Sequence, residues 1–141
     1  MAKRVSLRGR AVIIHSLDHA RAAMEAASAL EVPVTLLSAP GAAGYAGARW
    51  FLSVIAQARA EHPEVEAAAV LDCGDEPGRA LGALREGCEA VRFTGPAKIA
   101  AKIAAIAEQS GAAVYGQRDA APALDLWREA DPAAACRQWL A

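Results

Sequence analysis

The stretch Leu71-Asp72-Cys73-Gly74-Asp75-Glu76 gathers a thiol and three carboxylates, the densest reactive chemistry in the chain. A carboxylate beside a helix N-terminus is favoured in its ionised form by the helix dipole. It serves as a general base only where burial raises its pKa back toward neutrality. Asp72 is the candidate for that catalytic role, whereas Asp75 reads as a cap for the helix that follows. Cys73 offers a soft metal ligand or a nucleophile. A lone buried thiol fits it better, because no histidine stands near it in sequence.

Other polar residues recur at the ends of apolar runs: His15-Ser16, Ser38, Thr94-Gly95 and Gln117-Arg118-Asp119. In parallel α/β folds, sites form at the carboxyl ends of strands. His15, Ser16, Ser38, Cys73, Gly74, Thr94, Gly95 and Gln117 are therefore the candidate ligand-binding residues, although chains also turn polar wherever a strand gives way to a loop. Gly41, Gly44 and Gly47 follow a predicted strand and open a helix. Their spacing is not the dinucleotide fingerprint and no Lys-Ser/Thr follows, so a phosphate loop is weakly supported. Lys98 and Lys102 read as a solvated helix face and His62 as a helix end. Trp127 and Trp139 read as packing residues, since no basic groove accompanies them for base stacking.

The elements that must position these residues alternate strand and helix. Arg10–His15, Pro33–Ser38, Ala67–Leu71, Ala90–Phe93 and Ala112–Tyr115 are the predicted strands. Ser16 caps a first helix with Leu17, Ala20, Met24 and Ala27 at helical spacing. One long helix is predicted after Gly41, carrying Tyr45, Ala48, Leu52 and Ile55 on one face and stopping at Pro63. Asp75 and Pro77 open the next helix, which ends at Gly87. Ile99, Ile103 and Ile106 mark another, and Leu124–Ala130 is expected to form a short one. Asp131-Pro132 starts the last, which presents Cys136, Trp139 and Leu140.

Such alternation makes parallel β-α-β units. It fits a partial TIM-barrel-like sheet of about five strands or a flavodoxin-like open three-layer sandwich. The 141 residues read as a single α/β domain, with 1–9 as a flexible or irregular lead-in. Apolar residues make up 55%, and alanine supplies close to half of them, so the large hydrophobes are ordinary in number. Fifteen basic residues face 16 acidic ones, a net charge of −1, which argues against a nucleic-acid binder. No apolar run approaches the ~20 residues of a membrane span, and the start lacks a signal-peptide core. Three cysteines without CxxC spacing fit a reduced, cytoplasmic protein.

Several segments together resemble the first half of the class II, metal-dependent fructose-bisphosphate and tagatose-bisphosphate aldolases. The resemblance runs from Leu17-Asp18-His19-Ala20 to Gly95. Val32 to Ala42, followed by Tyr45-Ala46-Gly47, is similar to that family's second strand and the helix after it. Val70-Leu71-Asp72-Cys73-Gly74 resembles its Leu-Asp-His-Gly segment, and Gly87 to Gly95 its Gly-Phe-x-Ser-Val-Met-x-Asp-Gly. Ala112 to Gln117 falls where the family has a strand bearing a metal-binding glutamate. Asp131-Pro132-Ala133-Ala134 resembles a later helix start.

The resemblance makes Asp72 the match of the catalytic aspartate. Cys73 stands where the family has a zinc-binding histidine, Gln117 about where it has a zinc-binding glutamate, and Thr94 replaces an aspartate. The remaining ligands belong to later strands of a barrel of ~250 residues. The expectation is a front-half barrel without the family's reaction. It would bind a small metabolite, phosphorylated or not, or act as an interaction module, with no cofactor. The enzyme alternative is a lyase or isomerase using Asp72 as base, with zinc or another divalent metal held through Cys73. A flavodoxin-like nucleotide-binding or regulatory domain is the third reading, resting on the glycine loop alone. An apolar inner sheet face and two open edges predict a homodimer, inner face to inner face or through the edges.

Overall fold

The computed structural model describes residues 9–116 and 122–141, so all but Gly9 of the expected lead-in lies outside the described residues. Strand β1 (Arg10–Ile14) leads through the Ser16 cap into helix α1 (Leu17–Leu30), where the Ser16 hydroxyl accepts the His19 N–H. Then come β2 (Val34–Ser38), a single turn α2 (Ala42–Tyr45) and α3 (Ala48–Glu61). The chain continues with β3 (Ala67–Asp72), α4 (Pro77–Glu86), β4 (Ala90–Arg92), α5 (Ala97–Gln109) and β5 (Ala113–Tyr115). Last are β6 (Ala123–Asp125), a 3-10 turn (Leu126–Arg128) and α6 (Pro132–Leu140), whose Asp131 cap accepts the Ala134 N–H.

All six strands form one sheet in the order β5-β4-β3-β2-β1-β6, and every pairing is parallel. Five strands lie side by side in chain order, which is barrel order. A flavodoxin-like sheet would reverse direction at a switch point. The side chains agree. Val12, Ile14, Val34, Leu36, Ala69, Leu71 and Val91 join one core with Met24, Phe51, Ile55, Leu84 and Ile103 of the helices. The alternate strand positions Leu37, Val70, Ala90, Ala113 and Tyr115 form a second, smaller cluster that contains no helix residue. Helices therefore cover one face, as in a partial TIM barrel, and the open three-layer sandwich is set aside.

Alanine explains the closeness of the layers. Ala20, Ala23, Ala26 and Ala27 are buried along α1, which packs against α6 on one side and α3 on the other. Alanine is the best helix former and leaves no side chain to hold elements apart. The Ala67-Ala68-Ala69 stretch has little strand propensity of its own, and pairing with β2 places it in the sheet. The large anchors Phe51, Leu36 and Leu71 are fully buried, each contributing roughly 1.5–3 kcal/mol.

Four expectations are corrected. The region expected as a helix over Leu124–Ala130 is instead β6 plus a 3-10 turn, because Ala123, Leu124 and Asp125 pair with Ala11, Val12 and Ile13. The predicted helix after Gly41 is broken in two. Gly47 sits at φ +88, outside helical geometry, and Tyr45 belongs to the short turn before it. Asp75 does not cap α4; Glu76 occupies that position and makes no side-chain cap bond. Finally, the inner face is not bare at its centre. Val70, Ala90, Ala113 and Tyr115 are 2%, 1%, 5% and 8% exposed within the single chain, packed on one another.

Candidate functional site

A cavity of about 520 Å³ opens at the carboxyl ends of β1, β2 and β6. Ile14, Ala39 and Ala42 line it together with Tyr45, Trp50 and Trp127, and its polar groups are His15 and Asp125. Among the described residues, Tyr45 and Trp127 are the most exposed of the large apolar side chains, at 71% and 68%. Both sit at this one mouth.

Local geometry sets the polar pair. His15 follows the last residue of β1, and Asp125 is the last residue of β6, paired one strand away with Ile13. Their side chains meet, with His15 Nε2 2.7 Å from Asp125 Oδ1. The same oxygen accepts the Trp127 N–H at 2.9 Å, which fixes the 3-10 turn and sets the indole 4.9 Å from the His15 ring. The Ser16 cap turns the chain so that the His15 N–H donates to His19 Nδ1 at 3.1 Å. Burial pushes the His19 imidazole below its usual value, and the neighbouring His15 adds to this, while Asp125 and Asp18 oppose it. Burial pushes Asp125 upward, but the Trp127 N–H and His15 outweigh it and hold the carboxyl below its usual range.

Asp72 lies elsewhere, buried among the ends of β2, β3 and β4. Its Oδ1 accepts the Gly74 N–H at 2.8 Å and the Gly41 N–H at 3.0 Å. Its own N–H donates to Ser38 Oγ at 2.8 Å, and the Ser38 hydroxyl donates onward to the Ala39 carbonyl. Arg92 Nε stands 3.8 Å from Asp72 Oδ2. The structure thus brings together Asp72, Ser38 and Gly74. Thr94 joins them only through its N–H, which donates to the Gly74 carbonyl.

The other predicted residues scatter. His15 lines the cavity, while Ser16 is a helix cap. Gly95 packs against the Phe93 ring, with no room there for a Cβ. Cys73 turns into the helix-side core, its thiol donating to the Leu71 carbonyl, and burial pushes its pKa up to about 12. Gln117, Arg118 and Asp119 lie outside the described residues. Sequence reasoning missed Asp125, His19, Tyr45, Trp50 and Trp127. Trp127 was expected to pack inside, and it stands at the rim instead; Trp139 does pack, donating to the Ala11 carbonyl.

Residues 2–113 match the family model described as fructose-bisphosphate aldolase class-II. The chain belongs to this family. A fructose-bisphosphate aldolase of Xanthobacter flavus is 28% identical over 118 residues, covering 74% of this chain and 33% of that protein. The chain thus spans about a third of the length of this curated relative. The crystal structure of a protein assigned as a fructose-1,6-biphosphate aldolase from Coccidioides immitis superposes with a TM-score of 0.65. That match is 20% identical, covers 79% of this chain and 41% of the other, and supports the barrel-like fold.

Class II aldolases are typically zinc-dependent, so the donor set matters. Among the described residues, no group of three or more His, Cys, Asp or Glu side chains is placed to hold a metal ion. Cys73, at the position resembling a zinc histidine, points away from Asp72 with its thiol protonated and buried. Zinc takes thiolates and neutral imidazoles in a set of three or four. The described residues do not fit it. No helix among the described residues is long and apolar enough to cross a membrane.

Proposed function

We propose that this aldolase-family chain binds a small metabolite without performing the family's carbon–carbon cleavage. The cavity at the ends of β1, β2 and β6 carries the reading. Its volume and aromatic lining suit a small molecule, with a few polar groups to orient it. Asp72, the retained acid–base candidate, supports the negative half of the proposal. One of its oxygens already accepts two backbone N–H groups, and it does not line the cavity. On this reading Asp72 ties loops together.

The test has two parts. The chain is incubated with fructose 1,6-bisphosphate, with and without added zinc, and cleavage is followed by coupled assay; we expect none above buffer. Turnover that disappears in Asp72→Asn would overturn the proposal in favour of a lyase using Asp72 as base. In parallel, a panel of small metabolites is screened by the NMR shifts of the indole N–H signals. Shifts at Trp50 and Trp127 are expected, and a panel that moves neither removes the cavity as a binding site.

The three unpaired, buried thiols support a reducing, cytoplasmic setting. We also propose a homodimer formed through the sheet face or through the outer strands β5 and β6. Light scattering at micromolar concentration decides this, and a stable monomer would end it.

A further inference from the structure

We propose that the ligand of this cavity is a protonated amine with an apolar body, held by its charge between the aromatic walls and the Asp125 carboxylate. The inference rests on the small-ligand reading above and names the class of ligand. Three aromatic side chains, Tyr45, Trp50 and Trp127, face the same space. The faces of such rings attract a cation and disfavour an anion. Two of them are left largely in water, an arrangement that a ligand of matching shape would cover.

The polar group agrees in sign. Asp125 uses Oδ1 for both His15 Nε2 and the Trp127 N–H, and Oδ2 takes part in no hydrogen bond among the described residues. An ammonium N–H can donate to that second oxygen, a charge-assisted bond. No lysine or arginine lines the cavity among the described residues. A phosphorylated metabolite would bring two negative charges per phosphate close to a carboxylate, with no guanidinium or ammonium to receive them. The cavity is therefore poorly suited to a sugar phosphate, even though the family resemblance points toward one.

The test uses three probes of nearly one shape and different charge: cyclohexylmethylamine, cyclohexylmethanol and cyclohexanecarboxylate. Each is titrated into the whole chain at about pH 8, where the amine is charged and free imidazole is neutral. Trp50 and Trp127 indole signals, assigned through Trp→Phe variants, give the dissociation constants. The amine is expected to bind at least about tenfold more tightly than the alcohol, and the carboxylate more weakly than either. Asp125→Asn should shrink the amine's advantage to about threefold, the part the rings alone supply. Because that change also touches His15, Trp127→Phe is measured beside it, and it should leave the amine preferred.

Equal binding of amine and alcohol, or preference for the carboxylate or for inorganic phosphate, would overturn the charge assignment while leaving small-ligand binding intact. No shift at either indole with any probe, combined with a silent metabolite panel, would overturn both.

Discussion

Replacing Asp72 by Asn and by Ala separates its acceptance of two backbone N–H groups from its charge. Asp72 is 5% exposed and accepts two backbone N–H groups at 2.8 and 3.0 Å, from Gly74 and Gly41. A hydrogen bond to a charged group contributes about 1.5–3 kcal/mol net, and an orphaned buried donor costs a similar amount. Asp72→Ala strands both N–H groups and takes a carboxylate away from Arg92 Nε, which is buried and has no hydrogen-bond partner among the described residues. Such losses share one site and do not add fully, so about 3–5 kcal/mol is expected.

Asp72→Asn keeps an oxygen where Oδ1 stands and so keeps both N–H partners. It loses only the charge and sets an amide N–H₂ toward Arg92, for about 1–2 kcal/mol. An unfolding entropy of roughly 2.1 cal/mol/K per residue makes 1 kcal/mol worth about 3–4 °C for a chain of this length. The alanine variant should therefore melt about 10–15 °C below the parent and the asparagine variant about 3–7 °C below it. Urea unfolding followed by circular dichroism gives the free energies, and calorimetry the midpoints. An alanine variant within about 1 kcal/mol of the parent would refute the reasoning. So would an asparagine variant as unstable as the alanine one, since that would mean charge, not acceptance of the two N–H bonds, holds the loops.

A Cβ at Gly95 would run into the Phe93 ring, itself 1% exposed, so Gly95→Ala should cost about 1–3 kcal/mol. A double-mutant cycle with Phe93→Leu should show coupling, and simple additivity would mean the ring is not the obstacle. Burial pushes Cys73 up to about 12 and Cys88 and Cys136 up to about 11. At about pH 8 all three should react with a thiol reagent only as fast as the fold opens, and prompt reaction of any in the native state would contradict this. The pH dependence has a definite sign. His19 and Asp125 are both shifted downward in the fold, so the unfolded chain binds more protons. Stability from His19, faced by His15, Asp125 and Asp18, is complete above its ordinary 6.5 and lost as pH falls through the lowered value. Urea midpoints should decline from about pH 7.5 to 5.5 in the parent and less steeply in His19→Asn. A flat or rising parent profile would reverse the assignment.

The parts of the fold legible in the sequence are those written in neighbouring residues. Ser16 caps α1 by accepting the N–H of His19, three residues on, and Asp131 caps α6 in the same way. The β-branched run of β1 and the apolar run of β2 announce themselves without help from anything distant. Strand β6 does not. Ala123-Leu124-Asp125 has neither alternation nor branched residues, and only the paired backbone of β1 makes it a strand. Reading that segment as helix also hid the site, because Asp125 then had no reason to lie beside β1. The His15–Asp125 contact joins residues 110 positions apart, a separation at which no motif spacing carries information. The resemblance drew attention to Asp72 because Val70 to Gly74 resembles the family's Leu-Asp-His-Gly segment at that aspartate. What it could not convey is that the open cavity lies at β1, β2 and β6, where Tyr45 of a family-like segment meets Trp127 and Asp125 from beyond Gly95. In this chain one Asp72 oxygen holds the Gly41 and Gly74 N–H groups while Cys73 lies in the helix layer, so the role of Asp72 in the loops can be measured apart from any chemistry, and the D72N and D72A pair makes that measurement.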